Sequence, residues 1–158
     1  MEETAHIIKV ETSRRGTAQE KEADSYVAID LETTGLDPKH DKIIEIGAVL
    51  VIDGEIKETF STFVNPRREL DGRIRELTGI TGEMTAGAPD IGDVIGRVVE
   101  FCRDLPLLGH HIIFDYSFLK RAAVNKGLVF EKSGIDTLTL CRRFMPEEEK
   151  KNLENASR

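Results

Sequence analysis

Two carboxylates stand close together after a short apolar segment of the sequence. Asp30 and Glu32 follow the run Tyr26-Val27-Ala28-Ile29, which is typical of a buried strand. Because side chains alternate along a strand, both carboxylates lie on one face, roughly 6.5–7 Å apart. Their mutual repulsion is relieved by a divalent cation that prefers hard oxygen ligands, such as Mg²⁺ or Mn²⁺. The pair predicts a metal site, and solvated acids at a strand end are the alternative interpretation.

A turn and a third acid extend this constellation. Thr33-Thr34-Gly35 predicts a sharp turn whose N–H groups and hydroxyls can meet a phosphate. Farther along, the apolar segment Leu108–Phe114 predicts a strand that runs into Asp115, just before a helix over Tyr116–Asn125. Asp115 is either a helix N-cap, a metal ligand or both, because a helix N-terminus favours negative charge.

Three further residues in this second segment have open roles. Phe114 is either a core residue or a ring that stacks on a base. His110 and His111 are either ligands, general bases or hydrogen-bonded structural residues, and adjacent side chains diverge, so at most one of them serves a site.

Composition limits the class of protein. A length of 158 residues predicts one domain, and no apolar run approaches the ~20 residues of a membrane span. The net charge of −7 argues against broad duplex binding through a basic surface. Cys102 and Cys141 lack metal-type spacing, and we predict that they are reduced and buried, which fits a cytoplasmic protein. We predict that residues 1–24 are a disordered leader or linker.

The order of predicted elements indicates a mixed α/β sheet. Three antiparallel strands come first, with a hairpin turn at Asp53-Gly54, and strands alternating with helices follow. The predicted strands are Tyr26–Glu32, Lys42–Ile52, Glu55–Val64 and Leu105–Leu108. The predicted helices are a short one around Ile74–Leu77, Ile91–Arg103 with Asp90 as N-cap, Tyr116–Asn125, and Leu138–Phe144 opened by Ile135-Asp136, with a Gly-, Thr- and Pro-rich loop after Gly79. The first strand is central, so Asp30 and Glu32 lie where open α/β sheets bind ligands.

A series of short motifs runs in order from Tyr26 to Leu153. They are Val27–Gly35, Leu77-Thr78-Gly79-Ile80-Thr81, Ala88-Pro89, Gly109–Leu119, Asp136-Thr137-Leu138-Thr139-Leu140, Pro146 and Asn152-Leu153. In this order the motifs resemble those of the DEDDh 3′–5′ exonuclease family, which includes the proofreading epsilon subunit of bacterial DNA polymerase III.

The resemblance implies a fold, a reaction and a set of site residues. It implies a ribonuclease H-like fold and two-metal hydrolysis at the 3′ end of a single-stranded nucleic acid, with DNA favoured over RNA as the substrate. It also implies a role in DNA proofreading or repair, with a DNA polymerase subunit as a possible partner. Asp30 would bridge two Mg²⁺ or Mn²⁺ ions, Glu32 would bind one, and Asp115 the other. The family's nucleotide-contact positions fall on Thr33, Thr34, Leu77, Thr78 and Phe114.

Two departures from the family pattern qualify this expectation. His111 stands where the family usually has Asn. The third family motif, His-x-Ala-x-x-Asp, would fall beyond Arg158, so we expect 25–158 to be an exonuclease domain that lacks its C-terminal helix, its general-base His and its last acid. Such a chain is expected to bind metal weakly and to hydrolyse DNA poorly by itself.

Two other functions remain open at this stage. Asp30-Leu31-Glu32-Thr33-Thr34 echoes the Asp-x-Asp-x-Thr of haloacid dehalogenase-type phosphatases, in which the first acid is a nucleophile, although Glu fits the second position poorly. A non-catalytic nucleic-acid-binding or polymerase-binding module is the other alternative.

Overall fold

The fold is a mixed β-sheet with helices. A computed structural model describes residues 24–137, and in this part of the chain five strands and four helices follow one another. They are β1 (Tyr26–Thr33), β2 (Ile43–Ile52), β3 (Glu55–Phe63), α1 (Gly72–Thr78), α2 (Gly82–Ala86), α3 (Ile91–Cys102), β4 (Leu107–Gly109), α4 (Ile112–Asn125) and β5 (Gly134–Asp136).

The first three strands form the antiparallel meander that the sequence predicts. β1 pairs with β2 and β2 with β3. The turn between β2 and β3 has positive φ at both central residues, 51° at Asp53 and 80° at Gly54, as the favoured two-residue hairpin requires. The prediction of this hairpin is confirmed.

β1 lies at the centre of the sheet, also as predicted. The strand order is β3-β2-β1-β4-β5, and β4 and β5 run parallel to β1. The parallel pairing of β1 with β4 is short, since it joins Val27 to Leu107 and Ala28 to Leu108. The two strands are no longer paired toward the carboxyl end of β1, where Asp30 and Glu32 stand.

One apolar cluster joins the sheet to the two longer helices. Buried residues on β1 and β2 pack with the inward faces of α3 and α4, and the cluster includes Ile29, Leu50, Val98 and Leu119. On α3 the inward residues recur at the helical period predicted from the sequence: Val94, Ile95, Val98 and Cys102 are all buried. No helix in the described part of the chain combines the length and apolar character needed to cross a bilayer.

Two predicted boundaries are wrong. α4 begins at Ile112 rather than Tyr116, so its first turn takes the place of the end of the predicted strand. The loop predicted after Gly79 contains the short helix α2. Ile135 and Asp136 belong to β5, and a helix begins directly after them, as predicted, because Thr137 is already helical. Asp90 occupies the N-cap position of α3, as predicted, but its carboxylate makes no capping hydrogen bond and accepts from Arg67 Nε at 2.6 Å.

Some predictions fall on residues that the structure does not describe. These are the predicted leader 1–24 except for Asp24, the helix Leu138–Phe144, Cys141 and the segment from Pro146 to Arg158. Cys102, by contrast, is a free and fully buried cysteine, as predicted.

Candidate active site

The first two predicted acids lie at the carboxyl end of the central strand. Leu31 is buried between them, whereas Asp30 is exposed and Glu32 is half-buried, so the alternation places both carboxylates on the face opposite Leu31. The pKa of Glu32 is raised by burial first, and then by the charges of Asp30 and Glu45. The two acids thus add to a local excess of negative charge.

The third acid, Asp115, is buried beside them. It lies on the first turn of α4 with only 5 % of its surface exposed. Burial raises the pKa of Asp115 to about 8, and the charge of Asp30 adds to this shift. A hydrogen bond from the Leu31 N–H acts in the opposite direction, and the charges of Glu32 and Asp136 contribute smaller increases. Asp115 is therefore not the predicted N-cap but a buried carboxyl among other acids.

The side chains are not arranged as a complete metal site. Within residues 24–137, no three His, Cys, Asp or Glu side chains converge closely enough to hold a metal ion together. The donor atoms nevertheless favour a divalent cation. These side chains offer only oxygen ligands, and the charged groups that shift the pKa of Asp115 are all acids. These residues fit Mg²⁺ or Mn²⁺ by ligand type.

The structure brings a fourth acid, Asp136, to the same place. It is the last residue of β5 and only 4 % exposed, and its Oδ1 accepts a hydrogen bond from the His111 N–H at 3.2 Å. The sequence pattern predicts that Asp136 opens a helix and indicates no site role for it. A signal was present, because parallel strands end at one edge of a sheet, so an acid that ends β5 lies near the acids that end β1.

The two adjacent histidines are exposed, and only one has a clear structural role. His111 has φ 57° and ψ 51° and occupies the N-cap position of α4. Residues that tolerate this left-handed conformation include Asn and His, which explains why either can stand here. The His111 ring lies 6.2 Å from the ring of Phe114, and Phe114 in turn packs 4.9 Å from Phe118. Phe114 is half-buried, so its two predicted roles are compatible.

The hydroxyls of Thr33 and Thr34 are engaged within their own loop. Thr33 Oγ1 donates to the Gly35 carbonyl at 2.7 Å. Thr34 Oγ1 donates to Asp41 Oδ1 at 3.1 Å and accepts from the Lys42 N–H at 2.9 Å. The Thr34 N–H also pairs with the Lys42 carbonyl. These bonds fix the shape of the turn that follows the acids of β1.

The predicted contact residues on α1 differ in exposure. Leu77 is 73 % exposed and does not belong to the core of the fold. Thr78 Oγ1 donates to the Ile74 carbonyl and accepts from the Ile80 N–H, and Gly79 ends the helix with φ 74°. Ile74 and Ile80 anchor this region on Ile44 of β2, which leaves Leu77 facing solvent.

Known proteins are similar to this chain in sequence and in fold. A family model described as RNase T, exonuclease, matches residues 27–158. The PolC-type DNA polymerase III of Clostridium perfringens is 42 % identical over 130 residues, which are 82 % of this chain and 9 % of that protein. The corresponding protein of Bacillus subtilis is 46 % identical over 129 residues, 80 % of this chain and 9 % of its own length. The chain thus spans less than a tenth of these relatives.

Solved structures share the fold of this chain. Exonuclease X in complex with 5′ overhanging duplex DNA is 31 % identical, with a TM-score of 0.59 over 77 % of this chain and 64 % of that one. Exonuclease I has a TM-score of 0.66 over 78 % of this chain and 32 % of its own, at 17 % identity, and this likeness concerns the fold alone.

Proposed function

Because this chain belongs to the RNase T exonuclease family, we propose that it hydrolyses phosphodiester bonds at the 3′ end of a nucleic-acid strand, and DNA in preference to RNA. The observation that carries the proposal is the buried carboxyl of Asp115 beside the acids of β1, with its pKa raised to about 8 by burial and by Asp30. Strongly shifted acids in such a setting mark sites of chemistry more than sites of stability.

Asp30, Glu32 and Asp115 are the residues that would hold two Mg²⁺ or Mn²⁺ ions. When bound, such ions supply activation of the attacking water and charge stabilisation on the phosphoryl oxygens. Burial raises the pKa of Asp115 to about 8 when no cation is present, so the binding of a cation to its carboxylate would be accompanied by release of a proton. Asp136 keeps α4 in place through the His111 N–H and so fixes the position of Asp115.

The remaining predicted residues would hold the terminal nucleotides. Leu77 offers an exposed apolar side chain, and Phe114 offers a half-buried ring beside the acids. The hydroxyls of Thr33, Thr34 and Thr78 are already bonded within the protein, so we assign these residues to shaping the contact surface, with their remaining polar atoms available to sugar and phosphate. Base stacking on such side chains is tolerant of sequence, as an exonuclease requires.

We also propose a setting for this activity. The PolC-type DNA polymerases that match this chain support a role in proofreading beside a DNA polymerase in the cytoplasm, with the polymerase as partner. The duplex DNA bound by exonuclease X supports DNA as the substrate, and it is also compatible with a role in repair.

The test uses single-stranded DNA and RNA oligonucleotides labelled at the 5′ end, with the 158-residue chain and Mg²⁺ or Mn²⁺. In keeping with the poor hydrolysis that the motif pattern predicts for this chain by itself, we expect slow successive shortening from the 3′ end, faster on DNA, which stops in EDTA. Asp30→Asn should reduce the rate at least 10²-fold, whereas Asp93→Asn, which changes an exposed acid on α3, should not change it. Shortening from the 5′ end, or an undiminished rate in Asp30→Asn, would refute the proposal.

The absence of a preformed metal cluster within residues 24–137 favours a second candidate, a non-catalytic module that binds nucleic acid or a polymerase. This candidate predicts oligonucleotide binding that survives both Asp30→Ala and EDTA. Loss of binding when the metal is chelated would exclude it.

A further inference from the structure

The loop that follows β1, residues 34–42, is organised around one carboxylate. Asp41 Oδ1 accepts the hydroxyl of Thr34 at 3.1 Å, and Asp41 Oδ2 accepts the N–H of Asp37 at 3.0 Å. The Asp41 N–H donates to the Asp37 carbonyl at 2.7 Å. The side chain of Asp41 is only 23 % exposed, although it belongs to a surface loop. A single side chain therefore ties the beginning, the middle and the end of the loop together.

Gly35 has no side chain at the point where the Asp41 carboxylate lies. A Cβ built on Gly35 would stand 2.6 Å from Asp41 Cγ, well inside van der Waals contact. The φ of Gly35 is not in the left-handed region, so its backbone conformation does not by itself demand glycine. A side chain at this position of the Thr-Thr-Gly turn would have to displace the Asp41 carboxylate that packs against it.

Arg68 lies near the Asp41 carboxylate and is hydrogen-bonded to the same loop. Its Nη1 lies 3.8 Å from Asp41 Oδ1, and its Nη2 donates to the His40 carbonyl at 2.7 Å. Arg68 is part of the segment between β3 and α1, the helix that carries Leu77. The same residue thus connects the 34–42 loop to the chain leading into the second predicted contact region.

From these contacts we propose that Asp41 is a positioning residue for substrate, which holds the Thr33-Thr34-Gly35 turn in the shape that receives the 3′-terminal nucleotide. This inference rests on the proposed function. Asp41 itself touches neither the acids of β1 nor, in the proposal, the reacting phosphate. Its contribution is to order the loop before substrate arrives, so that binding does not have to order it.

The first test separates positioning from metal binding and catalysis. Binding of a 5′-fluorescein single-stranded DNA oligonucleotide is measured by anisotropy in Ca²⁺, and Mn²⁺ binding is measured by calorimetry. We expect Asp41→Ala to weaken oligonucleotide binding roughly tenfold while Mn²⁺ affinity is unchanged. In turnover with Mg²⁺, its KM should rise with little change in kcat, in contrast to Asp30→Asn, which lowers kcat.

The conservative variant provides a second arm. Asp41→Asn keeps an acceptor for the Thr34 hydroxyl but places an amide NH₂ against the Asp37 N–H, so it should restore part of the affinity lost in Asp41→Ala. Oligonucleotide affinity equal to that of the wild type in Asp41→Ala would overturn the inference, as would a loss confined to kcat.

A double-mutant cycle on stability tests the ordering of the loop without any substrate. Gly35→Ala alone forces its new methyl group against the Asp41 carboxylate, and Asp41→Ala removes that carboxylate. The double variant should therefore be more stable than the sum of the two single effects predicts. Additive effects would show that Asp41 does not organise the turn and would overturn the inference.

The two experiments also distinguish the failure of this inference from that of the proposed function. If the wild-type chain binds no oligonucleotide in Ca²⁺, the proposed function fails and the positioning role fails with it, even when the double-mutant cycle shows coupling. If the wild-type chain binds and Asp41→Ala binds equally well, only the positioning role is refuted.

Discussion

The buried carboxyl of Asp115 should make this protein less stable as the pH rises, when no divalent cation is present. The pKa of Asp115 is raised to about 8, whereas an unfolded aspartate titrates near 3.9. Between these two values the unfolded chain has lost the proton that the folded chain retains. The free energy of unfolding therefore falls as pH rises through this window, and the loss is complete above about pH 8.

The size of the effect follows from the same shift. At about 1.4 kcal/mol for each pH unit between the two pKa values, the loss has an upper limit of about 6 kcal/mol. Structural relaxation and water penetration reduce such penalties in real proteins, so we expect about 2–4 kcal/mol. That is a large part of the 5–15 kcal/mol typical of a folded domain.

Urea unfolding in EDTA at pH 5 and pH 9 measures this loss directly. Asp115→Asn keeps the size of the side chain and removes its titration. About a quarter of the loss falls below pH 5, so the stability of the variant relative to wild type should rise by about 1.5–3 kcal/mol from pH 5 to pH 9. Asp93→Asn, at an exposed position, controls for general charge effects. A difference between Asp115→Asn and wild type that stays constant or falls over this range would refute the reasoning.

Three further outcomes are expected from single substitutions. Gly109→Ala places a Cβ 2.9 Å from the Ile29 carbonyl oxygen, which belongs to the backbone and cannot move aside. Urea unfolding should therefore show that the free energy of unfolding falls by about 2–3 kcal/mol. Gly96→Ala, in open space on α3, should instead raise it by about 0.5–1 kcal/mol. At φ 57°, His111→Asn should leave the unfolding free energy within about 0.5 kcal/mol of wild type, whereas His111→Val should lower it by about 1–2 kcal/mol. Leu77→Ala should weaken oligonucleotide binding about tenfold in anisotropy measurements while thermal unfolding is unchanged, because the side chain is 73 % exposed; an equal affinity would remove Leu77 from the contact surface.

The sheet was predictable because its strands carry strong local signals. β1 and β2 are long apolar runs, and Asp53-Gly54 is a dipeptide that two-residue hairpin turns favour. The central place of β1 followed from its apolar character and from its connection to both halves of the chain. The family was predictable as well, since several motifs in a fixed order are far more specific than one Asp-x-Glu pair.

The start of α4 was not predictable from local sequence. Ile112, Ile113 and Phe114 are residues that favour strands, and they extend the apolar run of β4, so the pattern indicated one long strand. The strand instead ends at Gly109, and His111 adopts a left-handed conformation from which the helix begins. No periodicity in the sequence reveals this conformation. As a result Asp115 lies inside the first helical turn, with its side chain beside the acids of β1 rather than on its own helix N-terminus.

The place of Asp136 was missed for a different reason. β5 is only three residues long, too short to show an alternating pattern, and its pairing with β4 is a contact between distant parts of the chain. Only the assembled sheet shows that the acid ending β5 stands near the acids ending β1. The pKa of Asp115 depends on this arrangement and on burial, and neither can be derived from spacing alone.

The early separation of β4 from β1 has a consequence for observing this protein in solution. Beyond the pair Ala28 and Leu108 the two strands are no longer paired, and the Leu31 N–H donates to the carboxyl of Asp115. The chemical shift of this amide therefore follows the protonation of Asp115, and would follow a cation that displaces the proton. The Leu31 amide in the central strand therefore reports the charge state of Asp115 by NMR, without a probe attached to the acidic side chains.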